Sequence, residues 1–160
     1  MAKIQAPRES GLGDHVDWML HRPEMAQGYA ALSEAIYGNT QLTLREREAA
    51  RFVIAQLNDC AVCRGTRAEG ATAPTEPYYA EIPNWQTSTE MSEREKLAAE
   101  FAQRFVLDHL QIHDEFFDRL RVAYSEDEIA DLTLCCGAFL GLGRALAVAG
   151  VEAPAEQLTV

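Results

Sequence analysis

An all-α single domain is the fold class this sequence predicts, and three observations carry the prediction. Apolar residues recur every three or four positions over several long runs. Three of these runs open on a Ser/Thr-x-x-Glu capping box: Thr43-Leu44-Arg45-Glu46, Ser92-Glu93-Arg94-Glu95 and Ser125-Glu126-Asp127-Glu128. No stretch of useful length alternates with period two, so no sheet is expected. At 160 residues and 48% hydrophobic content the chain can bury one real core. The expected layout is an irregular arm over residues 1–13, one domain of roughly six to seven helices over 14–150, and a tail over 151–160.

Pro7, Gly11 and Gly13 mark the irregular arm. Asp14 caps a short helix to His21, and Pro23 sits in the first turn of the next. Met25, Tyr29, Leu32 and Ile36 give that second helix its stripe, and Gly38-Asn39 ends it. His15 and His21 read as surface or packing residues. Thr43 to Asn58 is the clearest helix, with Ala49, Phe52, Val53 and Leu57 on one face and Glu48 inside the run. Asn58-Asp59 breaks it, and the segment from Cys60 is expected to form a helix ending near Gly70.

Residues 71–90, with Pro74, Pro77 and Pro83, read as a loop. Its aromatic residues Tyr78, Tyr79 and Trp85 would form a lid or, preferably, pack on a neighbouring subunit. The helix from Ser92 is expected to run to about His109, which continues the face of Ala98, Phe101, Ala102 and Phe105. Another covers Asp114 to Tyr124. The last, Ile129 to Ala149, is long and apolar, and its Gly137, Gly141 and Gly143 suggest close helix contact. Gly150 and Pro154 stop it.

The formal charge of −11 argues against nucleic acid or an anionic membrane as partner. No stretch resembles a signal peptide or a membrane span, so a cytoplasmic location is expected.

The chemistry concentrates at Cys60-Ala61-Val62-Cys63. Such a pair can cycle between dithiol and disulfide by thiolate exchange. A cysteine near a helix N-terminus also gains thiolate character from unpaired N–H groups. A structural zinc site would need two further ligands. Cys135 and Cys136 are adjacent and form no second knuckle, and His109 and His113 lie far downstream. No metal and no cofactor other than the Cys60–Cys63 pair is expected; Cys135 and Cys136 read as packing.

Glu48, the Asn58-Asp59 break, Cys60-x-x-Cys63 and the helical blocks after them resemble the alkylhydroperoxidase D-like, or carboxymuconolactone decarboxylase, family. The likeness covers roughly residues 24–149. The family motif has Glu, Cys-x-x-Cys starting twelve positions later, then His four positions after the second Cys. Glu48, Cys60 and Cys63 match it, whereas Arg67 stands in the His position. The resemblance implies an orthogonal helical bundle assembled as a trimer or hexamer. It also implies peroxide-reducing thiol chemistry, with a lipoyl-bearing protein or another thiol as reductant.

Candidate site residues are therefore Cys63, Cys60, Glu48, Arg67 and His109. Helix geometry favours Cys60 as the activated thiol, whereas the resemblance and Arg67 favour Cys63 as peroxide-reactive with Cys60 resolving; Cys63 is preferred. Arg67, four positions past Cys63, would hold a thiolate but cannot relay a proton. Glu48 would pair with Arg67 or act as a base through water. His109 is the candidate relay, ahead of His113. The leading reading is a thiol-dependent hydroperoxide reductase acting on organic hydroperoxides. Its rivals are acid/base decarboxylation of a lactone and a non-catalytic helical oligomer with a redox-sensing or vestigial Cys pair.

Overall fold

All three Ser/Thr-x-x-Glu boxes close as the sequence predicts. Thr43, Ser92 and Ser125 each accept from the backbone N–H three residues on, and Glu46, Glu95 and Glu128 each accept from the cap's own N–H. Each cap contributes about 0.5–2 kcal/mol and sets the entry of a main helix. The computed structural model describes residues 2–153 and 158–159. Among these are eight α-helices: α1 (Asp14–Asp17), α2 (Pro23–Asn39), α3 (Leu44–Leu57), α4 (Ala61–Gly65), α5 (Glu76–Glu81), α6 (Glu93–Leu107), α7 (Asp114–Ala123) and α8 (Glu126–Ala149). Three 3₁₀ turns, Trp18–His21, Ile82–Thr87 and His109–Gln111, follow α1, α5 and α6. The fold is all-α, with one helix more than the upper expectation.

The additional helix lies where a loop is expected. α5 forms within residues 71–90, and its Tyr78 and Tyr79 are buried in the core of their own chain. They are neither a lid nor a subunit contact: the Tyr78 hydroxyl donates to the Arg45 carbonyl at 2.9 Å. Pro77 reads as a loop former in sequence, yet here it occupies the first turn of a helix, where its missing N–H costs nothing.

α3 is the central element. It packs on α6 and α8, and its Ala49, Ala50 and Ile54 are wholly buried. Small alanines at the α3 and α6 contact (Ala98, Ala99 and Ala102 on α6) let the two helices approach closely. α8 is apolar and long enough to cross a membrane by length and composition, contrary to the expectation that nothing resembles a span. Within this fold, however, its Ile129, Leu132, Cys136 and Leu146 lie in the interior. Of its glycines, only Gly143 is at a close approach; a side chain at Gly137 or Gly141 would meet nothing. Gly150, left-handed at φ 67°, ends the helix.

The two ends of the chain converge on this framework. The backbone N–H of Lys3 donates to the Ala149 carbonyl at 2.7 Å, and that of Arg67 donates to the Leu158 carbonyl at 2.8 Å. Residues 154–157 and 160 of the expected tail, with Pro154, lie outside the described residues.

Candidate redox site

The redox turn is made by the way α3 ends. Asn58 caps the helix, Asp59 takes the left-handed conformation (φ 50°), and the Cys60 N–H returns to the Ala55 carbonyl at 3.1 Å while that of Asp59 reaches Gln56 at 3.0 Å. This bond pattern is a Schellman motif, and Asp is among the few residues that enter αL readily. Cys60 is at once the last residue of that motif and the N-cap of α4, its Sγ accepting from the Cys63 N–H at 3.2 Å. The two sulfurs are at bonding distance with Cα atoms 5.3 Å apart, forming a disulfide. α4 itself is shorter than expected, ending at Gly65 instead of near Gly70.

The sulfurs are not equivalent. Cys60 is 1% exposed, whereas Cys63 is half-buried and lines a cavity of about 420 Å³. Asn58 ties the turn to α8, donating to the Leu140 carbonyl at 3.1 Å and accepting from Arg144 Nε at 3.2 Å. A Cβ on Gly143 would lie 2.9 Å from Asn58 Nδ2 and 3.4 Å from Cys63 Sγ. Glycine at 143 therefore makes the room in which the turn docks.

Beneath the turn lies a buried ion pair. Arg51 Nε donates to both oxygens of Glu48 at 2.9 Å, and its Nη2 reaches Oε2 at 2.7 Å. The same guanidinium donates to the carbonyls of Cys63 (2.6 Å) and Thr66 (2.9 Å), which the short α4 leaves without helical partners. Burial alone would lower the Arg51 pKa, but Glu48 outweighs it and the net direction is upward. Glu48 also accepts from the Tyr79 hydroxyl at 2.8 Å; burial, and then the Glu48 carboxylate, push that phenol up to about 12. Glu48 is fully buried and does not line the cavity. It holds Arg51, and Arg51 holds the redox turn.

The expected Glu48–Arg67 pair is thus replaced by Glu48–Arg51. Arg67 follows the end of α4, with extended backbone at Thr66, so the helical i,i+4 relation to Cys63 is lost. Its guanidinium pairs with Glu76 at 2.7 Å and lies 4.4 Å from the centre of the Tyr79 ring. Arg67 is absent from the cavity lining, as is His109. α6 stops at Leu107, two residues short of His109, which stands exposed in the following 3₁₀ turn and so leaves the apolar face it continues in sequence. Cys135 and Cys136 are free and buried, and burial raises both thiols, Cys135 to about 11.

The cavity contains a residue that reads in sequence as surface or packing. His15 lines it together with Cys63, brought there by α1 at the end of the irregular arm. Its Nδ1 is shielded from solvent and has no hydrogen-bond partner among the described residues, a condition costing about 1–3 kcal/mol. Burial lowers the His15 pKa below 6.5, and Asp17 and Asp14 oppose the shift. Tyr29 and Tyr37 from α2 and Arg51 from α3 are the other ionisable groups on the wall. Most of the remainder is apolar, including Met19, Phe139 and Leu146, as suits a small organic ligand. Leu158 and Thr159 close one side.

No protein-family model matches the chain, and no curated protein matches its sequence. Solved structures do match. An uncharacterized peroxidase-related protein from Ralstonia eutropha JMP134, described as an alkylhydroperoxidase AhpD core, superposes with a TM-score of 0.79 at 17% identity, covering 96% of this chain and 93% of that one. The fold is that of the AhpD core. A second AhpD-like structure, a protein of unknown function from Agrobacterium tumefaciens described as an antioxidant defence protein, has a TM-score of 0.74 at 20% identity, covering 88% and 97%. The debrominase Bmp8 shares the AhpD fold with a TM-score of 0.77 at 19% identity, covering 90% of this chain and 78% of its own. A cysteine-to-alanine variant of Bmp8 was solved in complex with 2,3,4-tribromopyrrole.

Proposed function

We propose that the protein is a thiol-dependent hydroperoxide reductase that cycles Cys60 and Cys63 between dithiol and disulfide and acts on organic hydroperoxides. The observation that carries this reading is the unequal setting of the two sulfurs, with Cys63 on an apolar cavity and Cys60 buried behind it. The Cys63 thiolate attacks one peroxide oxygen, the O–O bond breaks, and the alkoxide leaves as the alcohol once it has taken a proton. Cys63 is then a sulfenic acid. Cys60 attacks its sulfur and displaces hydroxide, which leaves as water, and the disulfide forms. Two electrons from an external dithiol, such as a lipoyl-bearing protein, restore the dithiol. A cytoplasmic homo-oligomer, trimeric or hexameric, completes the reading, with neither nucleic acid nor membrane as partner given the charge of −11.

The shared fold of the debrominase supports a second reading, in which the same dithiol delivers its two electrons to a carbon–halogen bond. Lactone decarboxylation has no use for a Cys pair, and a vestigial pair has no need of a cavity at Cys63. The test is consumption of cumene hydroperoxide by the reduced protein with dihydrolipoamide, run beside 2,3,4-tribromopyrrole. Turnover of the peroxide, abolished in Cys63→Ser, is expected. Bromide release without peroxide turnover would transfer the assignment to dehalogenation, and neither reaction in a correctly folded protein would leave the non-catalytic oligomer.

A further inference from the structure

With Arg67 turned to Glu76 and His109 exposed outside the cavity, the site needs another group to move the proton that peroxide cleavage requires. We infer that His15 is the proton carrier of this cavity, taking the proton of the Cys63 thiol and handing it to the alkoxide released from an organic hydroperoxide. This rests on the peroxidase reading for its substrate, but not for the coupling between His15 and Cys63.

Several independent observations converge on His15. It shares one cavity with Cys63, and the cavity has the volume of a small-molecule site, so one bound substrate can be exposed to both the sulfur and the ring. Its Nδ1 is buried and unpartnered, whereas the polar side chains that hold the turn are tied: Arg51 to Glu48 and two carbonyls, Asn58 to α8. The ring is seated over Gly13, where a Cβ would come within 3.1 Å of Nδ1. Trp18 Nε1 donates to the His15 carbonyl at 3.2 Å, and Asp17 is bound by Ser10, so the backbone that presents the ring is fixed.

The ionisable groups around the ring fit a carrier. Asp14 and Asp17 lie on its own helix, Tyr29 and Tyr37 on α2, Arg51 on α3 and Cys63 on α4; among the described residues, α8 and residues 158–159 present no titratable side chain to the cavity. Burial keeps the imidazole neutral near pH 7, which lets it accept a proton, and the two aspartates steady the imidazolium that results. The balance closes: the proton leaves Cys63 Sγ, resides on His15, and ends on the alcohol. Cys60 supplies the second proton, which leaves in water as the disulfide forms.

Two measurements on the full-length protein test this. The first follows the His15 imidazole by NMR against pH in the oxidised protein, the reduced protein and reduced Cys63→Ser. We expect the His15 pKa to rise on reduction, when a Cys63 thiolate faces it, and to return to the oxidised value in Cys63→Ser. One identical titration curve in all three states overturns the inference. The second compares kcat/KM for cumene hydroperoxide, where His15→Gln is expected to lose on the order of 10²-fold, the usual scale of general acid–base catalysis. Added imidazole should restore part of the rate in His15→Ala, which a folding defect would not allow. An unchanged kcat/KM in His15→Gln overturns the inference. Should the wild-type protein consume no hydroperoxide, the peroxidase reading falls, and the titration alone decides the role of His15.

Discussion

The redox turn has two sides that are built differently. Below it, α3 supplies Glu48 and Arg51, a buried pair whose guanidinium grips the carbonyls of Cys63 and Thr66. In front of it, α1, α2 and α8 join residues 158–159 in the cavity wall, and the segment that carries His15 is held by isolated contacts such as Ser10 to Asp17 and Lys3 to Ala149. The first side fixes geometry at the cost of desolvating two charges. The second side carries Cys63 and the one buried imidazole nitrogen without a hydrogen-bond partner among the described residues, that of His15. The interior of α3 thus holds the turn, while the wall that faces Cys63 is assembled from segments distant in sequence.

Substitutions can separate the two sides. Glu48→Ala should have the largest effect, because it leaves the Arg51 guanidinium charged and buried without its carboxylate. A loss of about 3–5 kcal/mol in global stability is expected, read by urea denaturation, together with slower disulfide formation. A loss below 1 kcal/mol, on the scale of an exposed pair, would mean that Arg51 is not held as described.

Asp17→Asn should act locally. Asp17 accepts from both the backbone amide and the hydroxyl of Ser10, and these bonds hold its carboxyl below the usual carboxylate range. A depressed carboxylate contributes stability above its unfolded pKa of 3.8, and that contribution is lost as pH falls through the folded value. The substitution should speed amide exchange of residues 10–18 on the order of tenfold, the scale of one charge-assisted hydrogen bond. Exchange in α3 should not change; if α3 loosens equally, the two sides are not independent.

Much of the first side was legible in sequence. The capping boxes, the helical spacing of α3, the Asn58-Asp59 break and the Cys60-x-x-Cys63 pair all act within a few residues, so local chemistry predicts them. Glu48 and Arg51 are three apart in that helix and could have been read as an i,i+3 pair. Arg67 stands in the family's His position and would face Cys63 only if α4 continued through it, but α4 ends at Gly65. His109 failed for a related reason: periodicity placed it on the α6 face, but the helix stops at Leu107.

The second side was not legible, because no local signal marks it. His15 sits in a four-residue helix after an irregular arm, and only tertiary docking brings it to the same cavity as a cysteine 48 positions away (63 − 15 = 48). Gly143 is similar: its neighbours Gly137 and Gly141 look alike in sequence, but it alone faces Asn58 and Cys63. Tyr78 and Tyr79 were misplaced because proline-rich composition concealed α5.

The central claim is that Cys63, on the cavity, meets the substrate and Cys60, behind it, resolves. The most direct measurement is trapping of sulfenic acid with dimedone after one equivalent of cumene hydroperoxide, comparing Cys60→Ser with Cys63→Ser by peptide mass spectrometry. The predicted result is a fast adduct on Cys63 in the first variant and little or none on Cys60 in the second. An adduct on Cys60 that forms as fast as, or faster than, that on Cys63 would contradict it.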